Sequence, residues 1–141
     1  MMRFLDSNVF LHAFLAPHRT LTNEEQRVKD EAKVIIKSVE GGEEVAMSTA
    51  HLSEVVNIVE ARLGLQKSLG LLTWAISSEN ITIYPVALED YGGTLLLAKE
   101  NNISANDALA YLCMKKQGIR EVYSFDKHFG QLKDIVRLPT I

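Results

Sequence analysis

The sequence predicts a single α/β domain over residues 1–141, in which a central, mainly parallel five-stranded sheet lies between two layers of helices. Three observations support this prediction. Five short apolar runs have the length of buried strands. Segments with helical periodicity separate most of these runs. A chain of 141 residues has the usual size of one domain. Strands that alternate with helices are typical of a parallel sheet covered on both faces.

The first third of the chain predicts two strands and two helices. Residues 2–6 form an apolar run that stops at Asp-Ser-Asn, which favours a central strand followed by a short helix over residues 7–14. Apolar side chains recur at helical spacing over residues 22–40, and two glycines end the pattern. Residues 44–48 then form a second short strand.

The middle third predicts a pair of helices and a strand. Thr49 is a suitable N-cap for a helix that extends to Leu63, and Gly64 interrupts the pattern. A second helix over residues 66–77 is apolar around much of its circumference. Residues 81–86 alternate between apolar and polar types and are rich in β-branched side chains, which indicates a third strand.

The last third predicts two helices and two strands. Residues 88–101 form a helix that two asparagines close, and Ser104 opens the clearest helix of the chain, which ends before Gly118. Residues 121–125 and 135–138 form the last two strands.

Composition limits the function. The single cysteine, Cys113, excludes an intrachain disulfide framework and a zinc–cysteine cluster, and it favours a reducing compartment. No run of about 18 apolar residues and no signal peptide is present, so the protein is expected to be cytoplasmic and not a membrane protein. The net charge of −3 argues weakly against a protein that coats nucleic acid, but it leaves a nuclease with acidic metal ligands open.

Four carboxylates stand where a predicted strand ends or a predicted helix begins. They are Asp6, Glu54, Asp107 and Asp126. In an open α/β sheet these positions lie along one edge, where functional groups gather. Asp107 reaches that edge only if its helix starts there. The helix must deliver the chain to the opposite edge, where the next parallel strand begins, and this favours such a start.

Each acid also has a purely structural explanation. Asp6 and Asp126 are suitable caps for the turns that follow them. Asp107 stands three residues after Ser104, which is the spacing of a variant capping box. Glu54 is an acid near a helix N-terminus, where the helix dipole stabilises it slightly.

Taken together, the four acids favour a metal site. Carboxylates that converge repel one another unless cations lie between them, and hard oxygen ligands select Mg²⁺ or Mn²⁺. A water bound to such an ion is an effective nucleophile for a phosphodiester. The sequence contains no Gly-rich phosphate loop followed by lysine that would compete for this role.

Four segments carry a family resemblance that covers essentially the whole chain. They are Leu5-Asp6-Ser7-Asn8, the Ser48–Glu54 segment, Ser104-Ala105-Asn106-Asp107-Ala108-Leu109, and Ser124-Phe125-Asp126-Lys127-His128-Phe129. In this order they resemble the PIN-domain nucleases, which are three-layer α/β/α proteins. The resemblance implies that Asp6, Glu54, Asp107 and Asp126 bind one or two Mg²⁺ or Mn²⁺ ions. It also implies that Ser124 orients the site, and that Ser7 or Asn8 is the polar residue following the first acid. A hydroxyl that satisfies backbone groups at a strand end is the alternative role for Ser124.

Within that family, a chain of this length is similar to the VapC toxins of toxin–antitoxin pairs. The resemblance implies an endoribonuclease that cuts an RNA such as a tRNA or rRNA loop. It also implies inhibition by a small antitoxin and assembly into a homodimer. The two helices over residues 49–63 and 66–77 offer an apolar surface for the dimer, although burial within the monomer explains their composition equally well.

Three other functions fit the sequence. A housekeeping PIN nuclease for RNA processing would use the same residues, and a non-catalytic PIN-fold binding module would keep the fold without turnover. A phosphoryl-transfer enzyme that uses Asp6 as phosphate acceptor ranks lower, because Asn8 replaces the second aspartate such enzymes place there. His12, His51 and His128 are expected to be surface or partly packed residues and not ligands. Residues 16–23 are expected to form a solvated loop, with contact to RNA as the alternative.

Overall fold

Five parallel strands between residues 3 and 138 form the central sheet of the computed structural model, which describes residues 2–141. The strands lie in the order β3-β2-β1-β4-β5, and every neighbouring pair is parallel. Their bounds are β1 Arg3–Leu5, β2 Val45–Ser48, β3 Ile81–Tyr84, β4 Glu121–Tyr123 and β5 Val136–Leu138. The predicted fold class is therefore confirmed. Met1, the first residue of the predicted domain, lies outside the described residues.

Helices fill the connections between the first four strands. They are α1 Ser7–Phe14, α2 Asn23–Glu40, α3 Thr49–Leu63, α4 Leu65–Ser77, α5 Leu88–Asn101 and α6 Ala105–Gln117. A short 3-10 helix, Lys127–Gln131, stands between β4 and β5. Because β1 is central and β3 is at one edge, α5 and α6 carry the chain across the sheet to β4 on the other side of β1.

The two faces of the sheet have separate cores, because successive side chains of a strand point to opposite faces. Leu5, Val45 and Met47 pack with apolar residues of α1, α2, α3 and α4. Phe4, Ala46 and Val122 pack with α6 and the short 3-10 helix. The molecule is therefore a three-layer α/β/α sandwich.

Capping residues explain several helix boundaries. Thr22 and Glu25 form a reciprocal capping box at the start of α2. The predicted cap of α3 is wrong by one residue: Ser48 is the N-cap and accepts a hydrogen bond from the His51 backbone N–H at 3.1 Å. The Thr49 hydroxyl instead accepts from the Val86 backbone N–H at 3.0 Å, which ties α3 to the loop after β3. Gly64, with a φ of 100°, separates α3 from α4 as predicted.

Several strands are shorter than predicted. The strand β4 ends at Tyr123 instead of residue 125, and β1 ends at Leu5, so that both aspartates that follow lie outside the ladders. This matters for function, because a side chain beyond the last ladder residue is free to turn toward its neighbours across the edge. No helix among residues 2–141 is long and apolar enough to cross a membrane.

Candidate active site

Asp6 lies at the carboxyl end of the central strand and is almost fully buried, with 3% of its surface exposed. It is the N-cap of α1, and its Oδ1 accepts a hydrogen bond from the Ser7 backbone N–H at 2.9 Å. Its other oxygen, Oδ2, accepts from the Ser124 hydroxyl at 2.7 Å. Burial raises the pKa of Asp6 to about 6, although these two hydrogen bonds oppose the shift, and the charges of Glu54 and Asp126 add to it.

Ser124 connects the first and last acids of the sequence. Its side chain is fully buried directly after β4. The hydroxyl oxygen donates to Asp6 and accepts from the Asp126 backbone N–H at 3.0 Å. The side-chain amide N–H of Asn8 donates to the same oxygen at 3.2 Å. The side-chain carbonyl oxygen of Asn8 accepts from the Phe125 backbone N–H at 3.2 Å. Ser124 therefore hydrogen-bonds both the Asp6 carboxylate and the backbone of Asp126, and its role in orienting the site stays a prediction.

Asp107 reaches the same edge because α6 begins there. Ser104 is the N-cap, and its hydroxyl accepts from the Asp107 backbone N–H at 3.1 Å. Burial raises the pKa of Asp107 to about 8, and the hydrogen bond and charge of Asp126 and the charge of Asp6 add to this rise. Asp107 and Asp126 therefore resist carrying two negative charges at the same time.

The pKa of Asp126 shifts in the opposite direction to that of Asp107. Burial alone would raise its pKa, but hydrogen bonds from Asp107 and from the His128 backbone N–H outweigh burial, and the pKa is lowered. The His128 N–H lies 2.9 Å from Asp126 Oδ1, so Asp126 caps the short 3-10 helix as the sequence suggested. The capping role and a place in the acidic site are thus compatible.

His128 belongs to the cluster, although the sequence analysis set it aside. Its Nδ1 lies 3.2 Å from Asp126 Oδ1 and 3.9 Å from Asp107 Oδ2. Ligand atoms of these three residues lie within 4.8 Å of one another. The local sequence could have predicted this position of His128. When an aspartate side chain accepts a hydrogen bond from the backbone N–H two residues later, that residue lies close to the carboxylate.

Glu54, one turn into α3, is held by two polar neighbours. The Ser7 hydroxyl donates a short hydrogen bond to Glu54 Oε1. The Asn106 amide donates to the same oxygen at 3.1 Å. Asn106, which the sequence analysis did not single out, therefore links the starts of α3 and α6 across the site.

His51 is fully buried below the acids, which contradicts its expected place at or near the surface. Its Nδ1 lies 2.6 Å from the Ser48 hydroxyl, and its Nε2 lies 3.9 Å from Asp6 Oδ1. Nε2 has no hydrogen-bond partner among the described residues. Burial lowers the pKa of His51 to about 4, so the ring is neutral at physiological pH.

Arg3 and Lys116 form their ion pairs away from the four acids. Arg3 lies at the opposite edge of the sheet, where it pairs with Glu43 and Glu121. Lys116 pairs with Asp90 on α5. Across residues 2–141, no lysine or arginine forms an ion pair with the four acids. The charges of His128 and Arg137 nevertheless act on Asp126 and help to lower its pKa.

The donor set fits a hard divalent cation. Carboxylate oxygens are the ligands that Mg²⁺ and Mn²⁺ prefer. The raised pKa values of Asp6 and Asp107 show that the site disfavours its full negative charge without a counterion. Asp107, Asp126 and His128 offer ligand atoms within 4.8 Å of one another that could hold such an ion, and the predicted ligands Asp6 and Glu54 stand outside this group.

The buried thiol of Cys113 has no part in this chemistry. It lies on α6 in the core below the sheet, and burial raises its pKa to about 11. The thiol therefore stays protonated and unreactive at neutral pH.

Solved structures with the same fold include several toxins. VapC20 from Mycobacterium tuberculosis, a Sarcin-Ricin loop cleaving toxin, is 22% identical, with 91% of this chain and 92% of that chain covered and a TM-score of 0.66. A toxin–antitoxin complex from Klebsiella pneumoniae is 14% identical over 95% of both chains, with a TM-score of 0.66. VapBC2 from Rickettsia felis, bound to a DNA fragment from its promoter, is 15% identical over 97% of both chains, with a TM-score of 0.64.

The sequence itself matches one family over nearly its whole length. No curated protein is similar enough in sequence to count as a relative. The profile of the PIN domain, however, matches residues 3–135, a span that includes all four acids and Ser124. This chain belongs to the PIN domain family.

Proposed function

We propose that this protein is a metal-dependent endoribonuclease and the toxin of a VapC-type toxin–antitoxin pair. The observation that carries the proposal is the group of acids at the carboxyl edge, where ligand atoms of Asp107, Asp126 and His128 lie within 4.8 Å of one another and Asp6 lies close enough for its charge to raise the pKa of Asp107. A charge arrangement of this kind costs stability unless a cation offsets it. Membership of the PIN domain family supports the same assignment.

The bound ion, Mg²⁺ or Mn²⁺, would lower the pKa of a coordinated water and offset the charge of the scissile phosphate. Asp6, Asp107, Asp126 and Glu54 would hold it. Asp107 would lose its proton when the ion binds, since a metal ligand must be ionised.

The remaining residues fix the acids in place. The Ser124 hydroxyl donates to the Asp6 carboxylate and accepts from the backbone N–H of Asp126. One side chain therefore sets the spacing of two proposed ligands. Ser7 and Asn106 hold one oxygen of Glu54 and leave the other without a hydrogen bond from the described residues. Such supporting contacts usually set both metal affinity and ligand orientation.

RNA and a small antitoxin are the proposed partners. VapC20, with the same fold, is a Sarcin-Ricin loop cleaving toxin, which supports an RNA substrate such as a tRNA or rRNA loop. The Klebsiella structure is a toxin–antitoxin complex, which supports inhibition by a protein partner. A homodimer through α3 and α4 fits the apolar side chains that α4 leaves exposed, which are Leu65, Leu69 and Ile76. A reducing cytoplasm fits the single buried thiol.

The test is cleavage of total cellular RNA by the purified protein, freed of any bound partner, with Mg²⁺ or Mn²⁺. We expect defined fragments from the parent protein and none after addition of chelator or with Asp107→Asn. Glu121→Gln, at the opposite edge of the sheet, is the matched control and should cut like the parent protein. Mapping the fragment ends would identify the target RNA.

The alternatives give different results. A folded, metal-loaded protein that leaves RNA intact would overturn the proposal and favour the non-catalytic binding module. Cleavage that a neighbouring small reading frame does not suppress, when both are expressed together, would favour a housekeeping RNA-processing nuclease over a toxin.

A further inference from the structure

A groove of about 680 Å³ opens beside the acidic site. Phe125 and Lys127, which flank Asp126 in sequence, line one side of it. The C-terminal half of α1, the first turns of α2 and the loop over residues 15–22 line the rest. None of these side chains has a part in the chemistry described above, so the groove is an additional surface next to the reacting groups.

The groove concentrates positive charge in a protein of net charge −3. Five cationic side chains line it, against the two acids Glu24 and Glu25; the cations are Arg19, Arg27, Lys29, Arg62 and Lys127. Ile141 also lines the groove. This surface therefore has the opposite charge to the neighbouring acidic site.

Most of the positive charge is not cancelled by carboxylates. Lys29 Nζ lies 3.1–3.4 Å from the carbonyl oxygens of His12, Ala13 and Leu15, and Arg62 donates to the Ala16 carbonyl at 3.1 Å. Carbonyl partners fix a cation in position but leave its charge available to an anion. Of the five cations, only Arg19 forms an ion pair among residues 2–141, with Glu25 at 2.8 Å.

The groove also has an aromatic surface. Phe125 is half-buried, and the His12 ring meets it edge to face with 5.4 Å between ring centres. The Phe125 backbone is fixed to Asn8, which is in turn bonded to Ser124. An aromatic side chain held at a fixed place beside fixed cations is the combination that proteins use to bind single-stranded nucleic acid.

We propose that this groove binds the single-stranded RNA segment next to the bond that is cut, with its phosphates on Arg27, Lys29, Arg62 and Lys127 and a base stacked on Phe125. The inference rests on the proposed ribonuclease function for its substrate class. The aromatic surface favours RNA over an acidic peptide, because a peptide of glutamates has no ring to stack. The loop over residues 16–23 thus forms a wall of a binding groove and is more than a solvated connection.

The test is binding of a labelled, unstructured RNA of about twelve nucleotides, measured by fluorescence anisotropy over a range of salt concentrations. The protein is the full chain with Asp107→Asn, so that binding is separated from cleavage. Arg27→Ala is expected to weaken binding about fivefold near 0.1 M salt and to reduce the salt slope by about 0.7, because one fewer phosphate is neutralised. Lys37→Ala is the matched control on the same helix outside the groove and should change neither value.

A second variant tests the aromatic part. Phe125→Leu keeps an apolar side chain for the core but removes the ring. It should weaken RNA binding about fivefold or more and leave the salt slope unchanged, since stacking does not depend on counterion release.

Three results would overturn the inference. They are equal affinities for Arg27→Ala and Lys37→Ala, no loss in Phe125→Leu, and equally tight binding of a glutamate peptide of the same charge. Cleavage assays separate this inference from the proposed function. If the parent protein cuts RNA and the groove variants keep its KM, the groove assignment alone fails. If the parent protein does not cut but RNA binds through the groove, the catalytic proposal alone fails.

Discussion

The charged residues at the two edges of the sheet differ in their ion-pair partners. At the amino edge, Arg3 lies 3.3 Å from Glu43 and 3.1 Å from Glu121, and the Tyr123 hydroxyl donates to Glu43 at 2.7 Å. Each acid there has a cation or a hydroxyl as partner. At the carboxyl edge, the acids face one another, and no lysine or arginine of residues 2–141 forms an ion pair with them.

This difference separates stability from function. The amino-edge network is a set of opposite charges that offset each other, which is the arrangement expected of a structural contact. Burial and the neighbouring acids raise the pKa values of Asp6 and Asp107, so these two carboxylates weaken the metal-free fold when they ionise. Strained electrostatics that persist in a native protein are typical of functional sites. Variants of the carboxyl-edge acids should therefore lower RNA cleavage without lowering stability, and variants at the amino edge should lower stability without lowering cleavage.

The largest effect is expected for Asp107→Asn. RNA cleavage should fall by more than about 100-fold, because even residues that only support a metal ligand commonly contribute 10–100-fold. Above about pH 8, the same variant should melt at a higher temperature than the metal-free parent protein, since Asp107 would otherwise ionise beside Asp126. Initial cleavage rates and thermal unfolding of the metal-free protein are the measurements. Lower stability together with lower activity would point to a structural role instead.

Ser124→Ala should have the second-largest effect. It removes the hydrogen bond to Asp6 and leaves the Asp126 backbone N–H without its acceptor. We expect metal affinity, measured by calorimetry with Mn²⁺, to fall about 10–100-fold. Ser124→Thr keeps the hydroxyl and is the control. If alanine and threonine bound Mn²⁺ equally well, the hydroxyl would have no part in orienting the acids.

Asp6 and Asp107 should make the metal-free protein less stable as the pH rises, whereas most carboxylates of folded proteins make it more stable. The folded-state pKa values of Asp6 and Asp107 are raised to about 6 and about 8, so the folded protein holds more protons than the unfolded chain above about pH 4. The free energy of unfolding of the metal-free protein should therefore decrease as the pH rises from about 5 to about 8. Urea unfolding at both ends of this range measures it, and Asp107→Asn should flatten the trend. An increase in stability with pH in the parent protein would contradict the assigned shifts.

The smallest effect is expected at the amino edge. Arg3→Leu removes the shared partner of Glu43 and Glu121, but these side chains are 23–32% exposed, so water and salt screen the network. We expect a loss of about 1 kcal/mol in the free energy of unfolding and unchanged RNA cleavage per folded molecule. Arg3→Lys should lose less. A loss of RNA cleavage in folded Arg3→Leu would contradict the assignment of stability to the amino edge and of activity to the carboxyl edge.

Local chemistry made much of the fold predictable. Helix caps such as Thr22 and Ser104 and the break at Gly64 follow from side chains within a few residues, and the alternation of strands and helices fixed the parallel sheet. The position of the acids at one edge follows from the connectivity of such sheets. Their roles as ligands remain predictions.

What the sequence left open depends on contacts between distant segments. Asp107 reaches the site because α5 and α6 cross the sheet, and the burial of His51 depends on where α3 packs against β1. The groove draws on side chains from positions 11 to 141. No local pattern marks such a surface, because each cation in it is ordinary within its own helix or loop.

Calorimetric titration of the metal-free protein with Mn²⁺ tests the central claim most directly. The parent protein, Asp107→Asn and Glu43→Gln would be compared. We expect saturable binding to the parent protein that Asp107→Asn abolishes and Glu43→Gln preserves, since Glu43 already pairs with Arg3, whereas no lysine or arginine of residues 2–141 forms an ion pair with Asp107. Absence of binding to the folded parent protein, or an equal loss in both variants, would contradict it.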